Sequence, residues 1–337
     1  MAFVYEYGMF LAKALTVVVS ILIVLAGISA VAGRDRQQGR ESLRVRKLND
    51  RYRDMRRTLG NAMAEHKFLQ RFRRSGKKTD AEHPDQDERP AQGPGHRVFL
   101  LRFEGDIRAS RVENLREEVT AVLTQARPGQ DEVVLCLESA GGLVHSYGLA
   151  ASQLTRLRDR GIRLTAAVDR VAASGGYLMA SVADRIIAAP FAVVGSIGVV
   201  AQLPNIHRLL KRHDVDVEMH TAGQHKRTLT TLGENTHAGR RKFQQELDET
   251  HGLFKQFVHR YRPALDLERV ATGEHWYGEQ AVALNLVDAL QTSDDLLMAK
   301  AEEADVFEVT FRRKQPITKR ITLGIETALE RLLRGGP

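Results

Sequence analysis

From residue 97 onward, short apolar runs alternate with segments of helical periodicity, and this alternation limits the possible folds more than any other feature. Strand-like runs cover residues 98–103, 133–137 and 164–168, and helix-like segments cover residues 111–125 and 146–158. Short apolar runs bounded by turn residues are typical of buried strands. Strands that alternate with helices usually form one sheet covered by those helices. The sequence therefore predicts an α/β domain.

The same pattern continues towards the C-terminus, with further strands predicted at 185–189 and 216–220 and a long helix at 238–261. The uncharged stretch that begins at residue 186 is interrupted by Pro190, Gly195 and Pro204, so we expect a buried strand and loop there rather than a membrane span. The single cysteine, Cys136, lies in a strand-like run. A single cysteine excludes an internal disulfide, and we predict that Cys136 is a small residue of the core.

The N-terminus contains 20 residues without a charge, 14–33, dominated by Val, Ile, Leu and Ala. This length is sufficient for a helix to cross a bilayer, so we assign residues 1–36 as a transmembrane anchor. A cleaved signal peptide is the alternative, with a possible cleavage site in the small residues of 28–33. The flanking charges favour an orientation that leaves the C-terminal side in the cytoplasm.

Positive charge is concentrated after the anchor. Residues 34–78 contain 16 Lys or Arg and 5 Asp or Glu, a net of +11, whereas the whole chain carries +8. Within residues 37–74, which we predict to form a basic amphipathic helix or coiled coil, apolar residues recur three or four positions apart: Val45, Leu48, Tyr52, Met55, Leu59 and Met63. A coiled-coil stalk and a helix resting on anionic lipid both explain this stripe. Nucleic-acid binding is not expected, because no nucleic-acid motif is present.

Residues 75–96 are rich in Pro, Gly and polar residues and are predicted to be a flexible linker. We expect the main domain to cover residues 97–300, followed by a C-terminal strand and a basic helix in residues 301–337.

Ser174 follows the strand-like run at 164–168 and precedes Gly175 and Gly176. A second glycine pair, Gly141 and Gly142, also follows a predicted strand. If neighbouring strand ends bring the two turns together, their backbone N–H groups converge on one point and can stabilise an oxyanion. Ser174 would then be a nucleophile. The alternative is that Ser174 only caps a helix and that the glycines allow close packing.

A serine hydrolase also requires a base. The histidines from residue 97 onward show no spacing that distinguishes one of them, and no zinc-binding motif is present. Lys226 follows a predicted strand in a segment of Gly and Thr, next to Arg227. A lysine acts as a base when burial or a neighbouring positive charge favours its neutral form. By itself Lys226 could equally be an ordinary surface lysine.

Five sequence blocks, in order and at similar spacing, resemble the bacterial signal peptide peptidase A family, specifically its shorter SohB branch. They are Ser-Ala-Gly-Gly at 139–142, Val-Ala-Ala-Ser-Gly-Gly-Tyr at 171–177, Gly-Ser-Ile-Gly-Val at 195–199, Ala-Gly-Gln-His-Lys-Arg at 222–227 and Thr-Gly-Glu-His-Trp-Tyr-Gly at 272–278. The resemblance covers roughly residues 97–297. One departure is Ala140, where the family usually has proline; an alanine leaves this turn less rigid but removes no donor.

The resemblance implies a crotonase-like α/β fold, similar to the caseinolytic protease subunit, with a Ser–Lys dyad. Ser174 would be the nucleophile, Lys226 its general base and Ser196 the residue that orients the lysine. Gly142 and Gly175 are the preferred oxyanion donors. In the double-length form of the family the serine and lysine lie in successive halves of one chain. A single-length chain would therefore form a homo-oligomeric ring with active sites shared between neighbouring subunits; the alternative is a dyad within one chain.

The expected function is a membrane-anchored serine endopeptidase that cleaves peptides or membrane-derived protein fragments, with no metal or organic cofactor. Its expected partners are a peptide or protein substrate and the lipid bilayer, and its expected location is the bacterial inner membrane. The charge rule predicts a cytoplasmic catalytic domain, whereas the resemblance implies a periplasmic one. The alternatives are a crotonase-type acyl-CoA hydratase or isomerase, which needs neither Lys226 nor an anchor, and a catalytically idle scaffold.

Overall fold

The computed structural model describes residues 42–72, 95–223 and 225–313, together with Lys13, Leu15 and Thr16. Nearly all of the predicted anchor and of the linker, and the C-terminal basic helix, lie outside the described residues. The chain divides into one compact unit of Val45–Thr310 and a second unit of residues 1–44 and 311–337. Of the second unit, little is described beyond the ends of two strands, and the features below belong to the first.

A single sheet of ten strands organises the domain. Its main path runs β1-β10-β2-β3-β4-β6-β9, and every pair from β10 to β9 is parallel. A branch leaves β3, where β5 pairs with β3 and β7 in parallel and β8 pairs with β7 antiparallel. The strands are β1 Ser42–Lys47, β2 Arg97–Gly105, β3 Glu132–Ser139, β4 Arg163–Val168, β5 Val171–Ala173, β6 Arg185–Ala188, β7 Val193–Gly195, β8 His275–Tyr277, β9 Ala289–Leu290 and β10 Asp305–Arg312.

Helices cover both faces of this sheet. They are α1 Leu48–Phe72, α2 Val112–Gln125, α3 Val144–Asp159, α4 Gly175–Ser181, α5 His207–Arg212, α6 His237–Tyr261, α7 Leu267–Val270, α8 Gly278–Ala283 and α9 Ser293–Glu303. Because side chains alternate across a strand, Leu101 and Leu135 pack in the larger core with α2 and α3, whereas Leu100 and Val134 pack with Leu297 of α9 on the other face. Burial on both faces explains the nearly continuous apolar runs of β2 and β3.

The structure confirms the α/β class and most of the expected elements. The strands predicted at 98–103, 133–137, 164–168 and 185–189 correspond to β2, β3, β4 and β6, and the predicted long helix corresponds to α6. Cys136 is buried, as expected. The predicted C-terminal strand is β10, but it pairs with β2 inside the sheet, so the domain extends beyond residue 300.

Two predictions of secondary structure were wrong. Residues 42–47, expected to begin the basic helix, form strand β1, so Val45 belongs to a strand and the helix starts at Leu48. The helical spacing of Val45 was a coincidence, because pairing with β10 decides the conformation there. Residues 216–220, expected to form a strand, have no regular structure and are exposed to solvent. Apolar residues alternate in this segment, but none of the described strands pairs with it, so it forms no β-ladder.

Within the described residues, no helix has both the length and the apolar character needed to cross a membrane. The stretch that begins at residue 186 forms part of β6, then β7 and an irregular loop, as the sequence analysis predicted.

Candidate active site

The carboxyl ends of four parallel strands meet along one edge of the sheet. The register pairs Gly105 of β2 with Ser139 of β3, and Ser139 with Ala172 of β5. It also pairs Ala173 of β5 with Gly195 of β7. In open α/β sheets this edge is where ligands bind, because loops leaving adjacent strands form a crevice. The two glycine turns and Ser174 all follow these strand ends.

Ser174 joins β5 directly to α4 and has an unusual backbone conformation, with φ of 51° and ψ of −120°. This conformation is sparsely populated for residues with a side chain, and such strain persists only where the surrounding structure imposes it. Here the Ser174 N–H donates to the Gly195 carbonyl at 2.8 Å, and the Ser174 carbonyl accepts from the Leu178 N–H at 2.9 Å. A half-buried serine on a strained strand-to-helix turn is the arrangement used to present a nucleophile.

The two glycine turns lie against each other, as expected from the sequence. A Cβ atom on Gly141 would lie 2.7 Å from the Gly175 nitrogen and 2.8 Å from the Ser174 Cβ, and φ at Gly141 is +88°. Both the close approach and the left-handed conformation require glycine at this position. The N–H of Gly141 is already used, since it donates to Ser139 Oγ at 3.1 Å.

Two backbone donors beside Ser174 remain available to a ligand. Among the described residues, the N–H groups of Gly142 and Gly175 have no hydrogen-bond acceptor. Gly142 is exposed, whereas Gly175 is buried at the first position of α4. N–H groups that converge near a nucleophile can stabilise the negative oxygen of a tetrahedral intermediate. The geometry therefore favours Gly142 over Gly141 as the donor from this turn.

Tyr147, a residue of α3 that no sequence motif indicated, supports the Gly141 turn. Its hydroxyl donates to the Asp106 carbonyl at 2.8 Å and lies 2.5 Å from Ser139 Oγ. Tyr147 is fully buried and occupies a core position of its helix, so its spacing indicated only packing. The available signal was chemical, because a buried tyrosine hydroxyl requires a polar partner.

Ser196 lies at the end of β7, one residue after Gly195, which contacts Ser174. It has the same φ of 51°, its N–H donates to the Glu274 carbonyl at 2.6 Å, and its Oγ donates to the Gly273 carbonyl at 3.3 Å. The structure thus brings Ser174 and Ser196 to neighbouring strand ends. The expected hydrogen bond from Ser196 to Lys226 is not formed within the chain.

Lys226 is exposed and forms no hydrogen bond with Ser174, Ser196 or the two glycine turns. Its N–H donates to the Gly223 carbonyl in a turn, and its side chain has no hydrogen-bond or ion-pair partner within the part of the chain that the structure describes. The single chain therefore assembles Ser174, Gly142, Gly175 and Ser196, but not Lys226.

Lys226 belongs to a segment, residues 200–232, which we call the arm. Of its described residues none is buried, and eight large apolar side chains are exposed: Val200, Leu203, Ile206, Leu209, Val215, Val217, Met219 and Leu232. Hydrogen bonds from Asn205 to the carbonyls of Thr230 and Gly233, at 2.8 and 3.0 Å, close the base of the arm. Exposed apolar surface of this kind marks a contact with another protein, a membrane or a ligand.

The described residues contain no group of three His, Cys, Asp or Glu side chains placed to hold a metal ion. The expectation of a cofactor-free mechanism remains a prediction.

The chain is similar to known proteins along most of its length. It matches the family described as Peptidase family S49 N-terminal over residues 2–154 and Peptidase family S49 over residues 156–307. It is 49% identical, over 321 residues, to a protein of Haemophilus influenzae named probable protease SohB, covering 93% of this chain and 90% of that protein. The chain belongs to peptidase family S49. This confirms the resemblance inferred from the five sequence blocks.

Two other relatives show how far the similarity extends. A probable protease SohB of Buchnera aphidicola subsp. Acyrthosiphon pisum is 52% identical over 237 residues, 70% of each chain. Protease 4 of Salmonella typhi is 28% identical over 207 residues, which cover 59% of this chain and 31% of that protein. Family membership and these names support a peptidase activity for this chain.

Proposed function

We propose that this S49 peptidase is a serine endopeptidase in which Ser174 is the nucleophile. The observation that carries the proposal is the strained backbone of Ser174 beside the N–H groups of Gly142 and Gly175, which have no acceptor among the described residues. The proposal includes a crotonase-like fold. Its support is that the ends of parallel strands carry paired backbone donors that can bind a carbonyl oxygen. The substrate is a peptide or a membrane-derived protein fragment.

The mechanism follows from these groups and Lys226. Ser174 Oγ attacks the scissile carbonyl carbon while neutral Lys226 Nζ takes the Oγ proton. The carbonyl electron pair moves to oxygen, and the N–H groups of Gly142 and Gly175 stabilise this oxyanion. When the C–N bond breaks, Lys226 returns its proton to the leaving amine. Water, deprotonated by Lys226, then attacks the acyl carbon; the bond to Ser174 Oγ breaks, and Lys226 returns the proton to Oγ.

In the proposed enzyme Lys226 comes from a neighbouring subunit of a homo-oligomeric ring. Two features support this arrangement: the exposed Lys226 side chain lacks a partner among the described residues, and it lies on an arm with a large exposed apolar surface. Docking the arm on a second copy would bury that surface and carry Lys226 away from its own chain. A head-to-tail contact of this kind repeats until it closes into a ring. Ser196, near Ser174, would then orient the incoming lysine.

A serine-directed probe tests the function and separates it from an acyl-CoA hydratase, an isomerase or an idle scaffold. We expect a fluorophosphonate or a peptidyl boronate to modify the wild-type protein and not Ser174→Ala. Ser181→Ala is a matched control, because Ser181 is a buried serine of α4 whose Oγ donates to the Leu178 carbonyl. Intact-mass spectrometry measures the adduct. Labelling that persists in Ser174→Ala would contradict the assignment.

We further propose that residues 1–36 anchor the enzyme in the bacterial inner membrane and that α1 lies on the lipid surface. Leu48 is buried against the domain, but Met55, Leu59 and Met63 on the same side of α1 are more than half exposed. Arg51 and Arg56 flank this stripe on its two sides. In a parallel coiled coil these positions would face each other as like charges, whereas next to anionic headgroups both are favourable.

Vesicle binding tests this use of α1. We expect a chain beginning at Ser42 to co-sediment with vesicles containing phosphatidylglycerol and to bind neutral phosphatidylcholine vesicles weakly. Leu59→Asp should reduce binding by about 10-fold, because it places a charge on the apolar stripe. Asn61→Asp makes the same change of charge on the opposite side of α1 and should have a smaller effect. Self-association that depends on Leu59 in the absence of lipid would favour the coiled coil instead.

A further inference from the structure

The turn that carries Gly142 is held by a buried chain of hydrogen bonds that the peptidase family assignment does not explain. It runs from the Gly141 N–H to Ser139 Oγ at 3.1 Å, from Ser139 Oγ to the Tyr147 hydroxyl at 2.5 Å, and from that hydroxyl to the Asp106 carbonyl at 2.8 Å. Ser139 is 2% exposed and Tyr147 is 0% exposed. Water therefore cannot readily replace a missing member of this chain.

The direction of each hydrogen bond follows from the chemistry of the groups. The Asp106 carbonyl can only accept, so the single Tyr147 hydroxyl proton is committed to it. Ser139 Oγ must then donate its proton to the Tyr147 oxygen, which leaves an Oγ lone pair for the Gly141 N–H. Burial raises the pKa of the Tyr147 hydroxyl, so Tyr147 remains a donor across the range in which peptidases work. The Gly141 N–H, the Ser139 hydroxyl and the Tyr147 hydroxyl thus each donate to a single, fixed acceptor.

Tyr147 also contacts the other side of the site. A Cβ atom on Gly175 would lie closer than 3.0 Å to the ring of Tyr147, so the ring packs directly on the backbone of the second donor. A Cβ atom on Gly105, at the end of β2, would overlap both the Tyr147 and the Ser139 hydroxyl oxygens. The ends of two strands, β2 and β3, and the first residue of α4 therefore make room for this single tyrosine. If Tyr147 were needed only for packing, its hydroxyl would not require the space that the missing side chain of Gly105 leaves.

We propose that Tyr147 and Ser139 are positioning residues that orient the Gly141–Gly142 turn, so that the Gly142 N–H and not the Gly141 N–H faces the oxyanion. By accepting the Gly141 N–H, Ser139 occupies the wrong donor and fixes the Ala140–Gly141 peptide plane, which is one peptide before the one that carries the Gly142 N–H. Tyr147 fixes Ser139 in turn. The inference rests on the proposed serine-peptidase function.

Tyr147→Phe provides the test, because it retains the ring against Gly175 and removes only the hydroxyl. We expect kcat/KM for a fluorogenic peptide to fall by about 10- to 100-fold, the scale of losing one orienting hydrogen bond, mostly through kcat. The inhibition constant of a peptidyl boronate, whose adduct mimics the tetrahedral intermediate, should rise by a similar factor. Binding of the uncleaved peptide, measured in the Ser174→Ala background, should change less than about threefold.

Tyr177→Phe is the matched control, since it also removes a fully buried tyrosine hydroxyl, one that donates to the Leu286 carbonyl at 2.9 Å outside the turn. It should lose stability without this selective loss in kcat. Ser139→Ala removes the acceptor of the Gly141 N–H and should be at least as impaired as Tyr147→Phe. The double variant should be no worse than Ser139→Ala alone, because both act through one chain of hydrogen bonds. Ser139→Ala also keeps the test decisive if Tyr147→Phe does not fold.

The outcomes separate this inference from the proposed function. If the wild-type protein neither hydrolyses peptides nor forms a boronate adduct on Ser174, the proposed function fails and the inference fails with it. If wild type does both, but Tyr147→Phe and Ser139→Ala keep kcat/KM and boronate affinity within about threefold of wild type, as Tyr177→Phe does, the positioning role is wrong and the peptidase mechanism stands.

Discussion

Lys226→Ala and Ser174→Ala are each expected to lose peptide hydrolysis by on the order of 10⁴-fold in kcat, because a nucleophile and its base act as a unit. Lys226→Arg should be nearly as inactive, since a guanidinium does not lose its proton and cannot act as a base. Ser196→Ala should be milder, with a loss of roughly 10- to 100-fold, because Ser196 would only orient the lysine. Steady-state kinetics with a fluorogenic peptide measure all four variants.

The controls for this prediction separate chemistry from folding. Thermal unfolding of the Ser174 and Lys226 variants should match that of wild type, since Ser174 is only half-buried and Lys226 is exposed. Lys255→Ala removes another lysine, one of α6 that pairs with Glu268 at 3.5 Å, and should retain activity. A Lys226→Ala protein with near-normal kcat would exclude the dyad.

The second large effect is complementation: activity is expected to return when two inactive variants are combined in one oligomer. If Ser174 and Lys226 of one site come from neighbouring subunits, co-expressed Ser174→Ala and Lys226→Ala chains form mixed rings. About a quarter of the interfaces in a random ring then pair an intact Ser174 with an intact Lys226. Co-purified rings, isolated with different tags on the two chains, should therefore have about a quarter of the wild-type activity per site.

A matched mixture strengthens the experiment. Wild type co-expressed with the Ser174→Ala/Lys226→Ala double variant should also keep about a quarter of its sites if the dyad is shared, but about half if the dyad lies within one chain. Mixed rings of the two single variants that remain as inactive as either parent would show that one chain supplies both residues. That result would leave the exposed apolar surface of the arm without an explanation.

The apolar periodicity of the sequence was sufficient to predict the α/β class, because a strand buried on both faces must be apolar almost throughout. It located β2, β3, β4, β6 and α6 to within a few residues. It failed at residues 42–47 and 216–220, where the pattern was ambiguous and strand pairing made the decision. The hydrogen bonds of β1 come from β10, more than 250 residues away, and no local pattern reports such a partner.

The sequence by itself also determined the family and the candidate residues, since the five blocks carry glycines and polar groups at fixed spacing. Only the tertiary structure decided which of them meet. The register of β3, β5 and β7 brings Ser174 to the Gly141–Gly142 turn and Ser196 to the neighbouring strand end, and it leaves Lys226 on an exposed arm. Tyr147 could not be distinguished from a core residue until its hydroxyl was seen between Ser139 and Asp106. The reason is physical: spacing along the chain reports which side of a helix a residue occupies, whereas a hydrogen bond depends on which strand end lies opposite it.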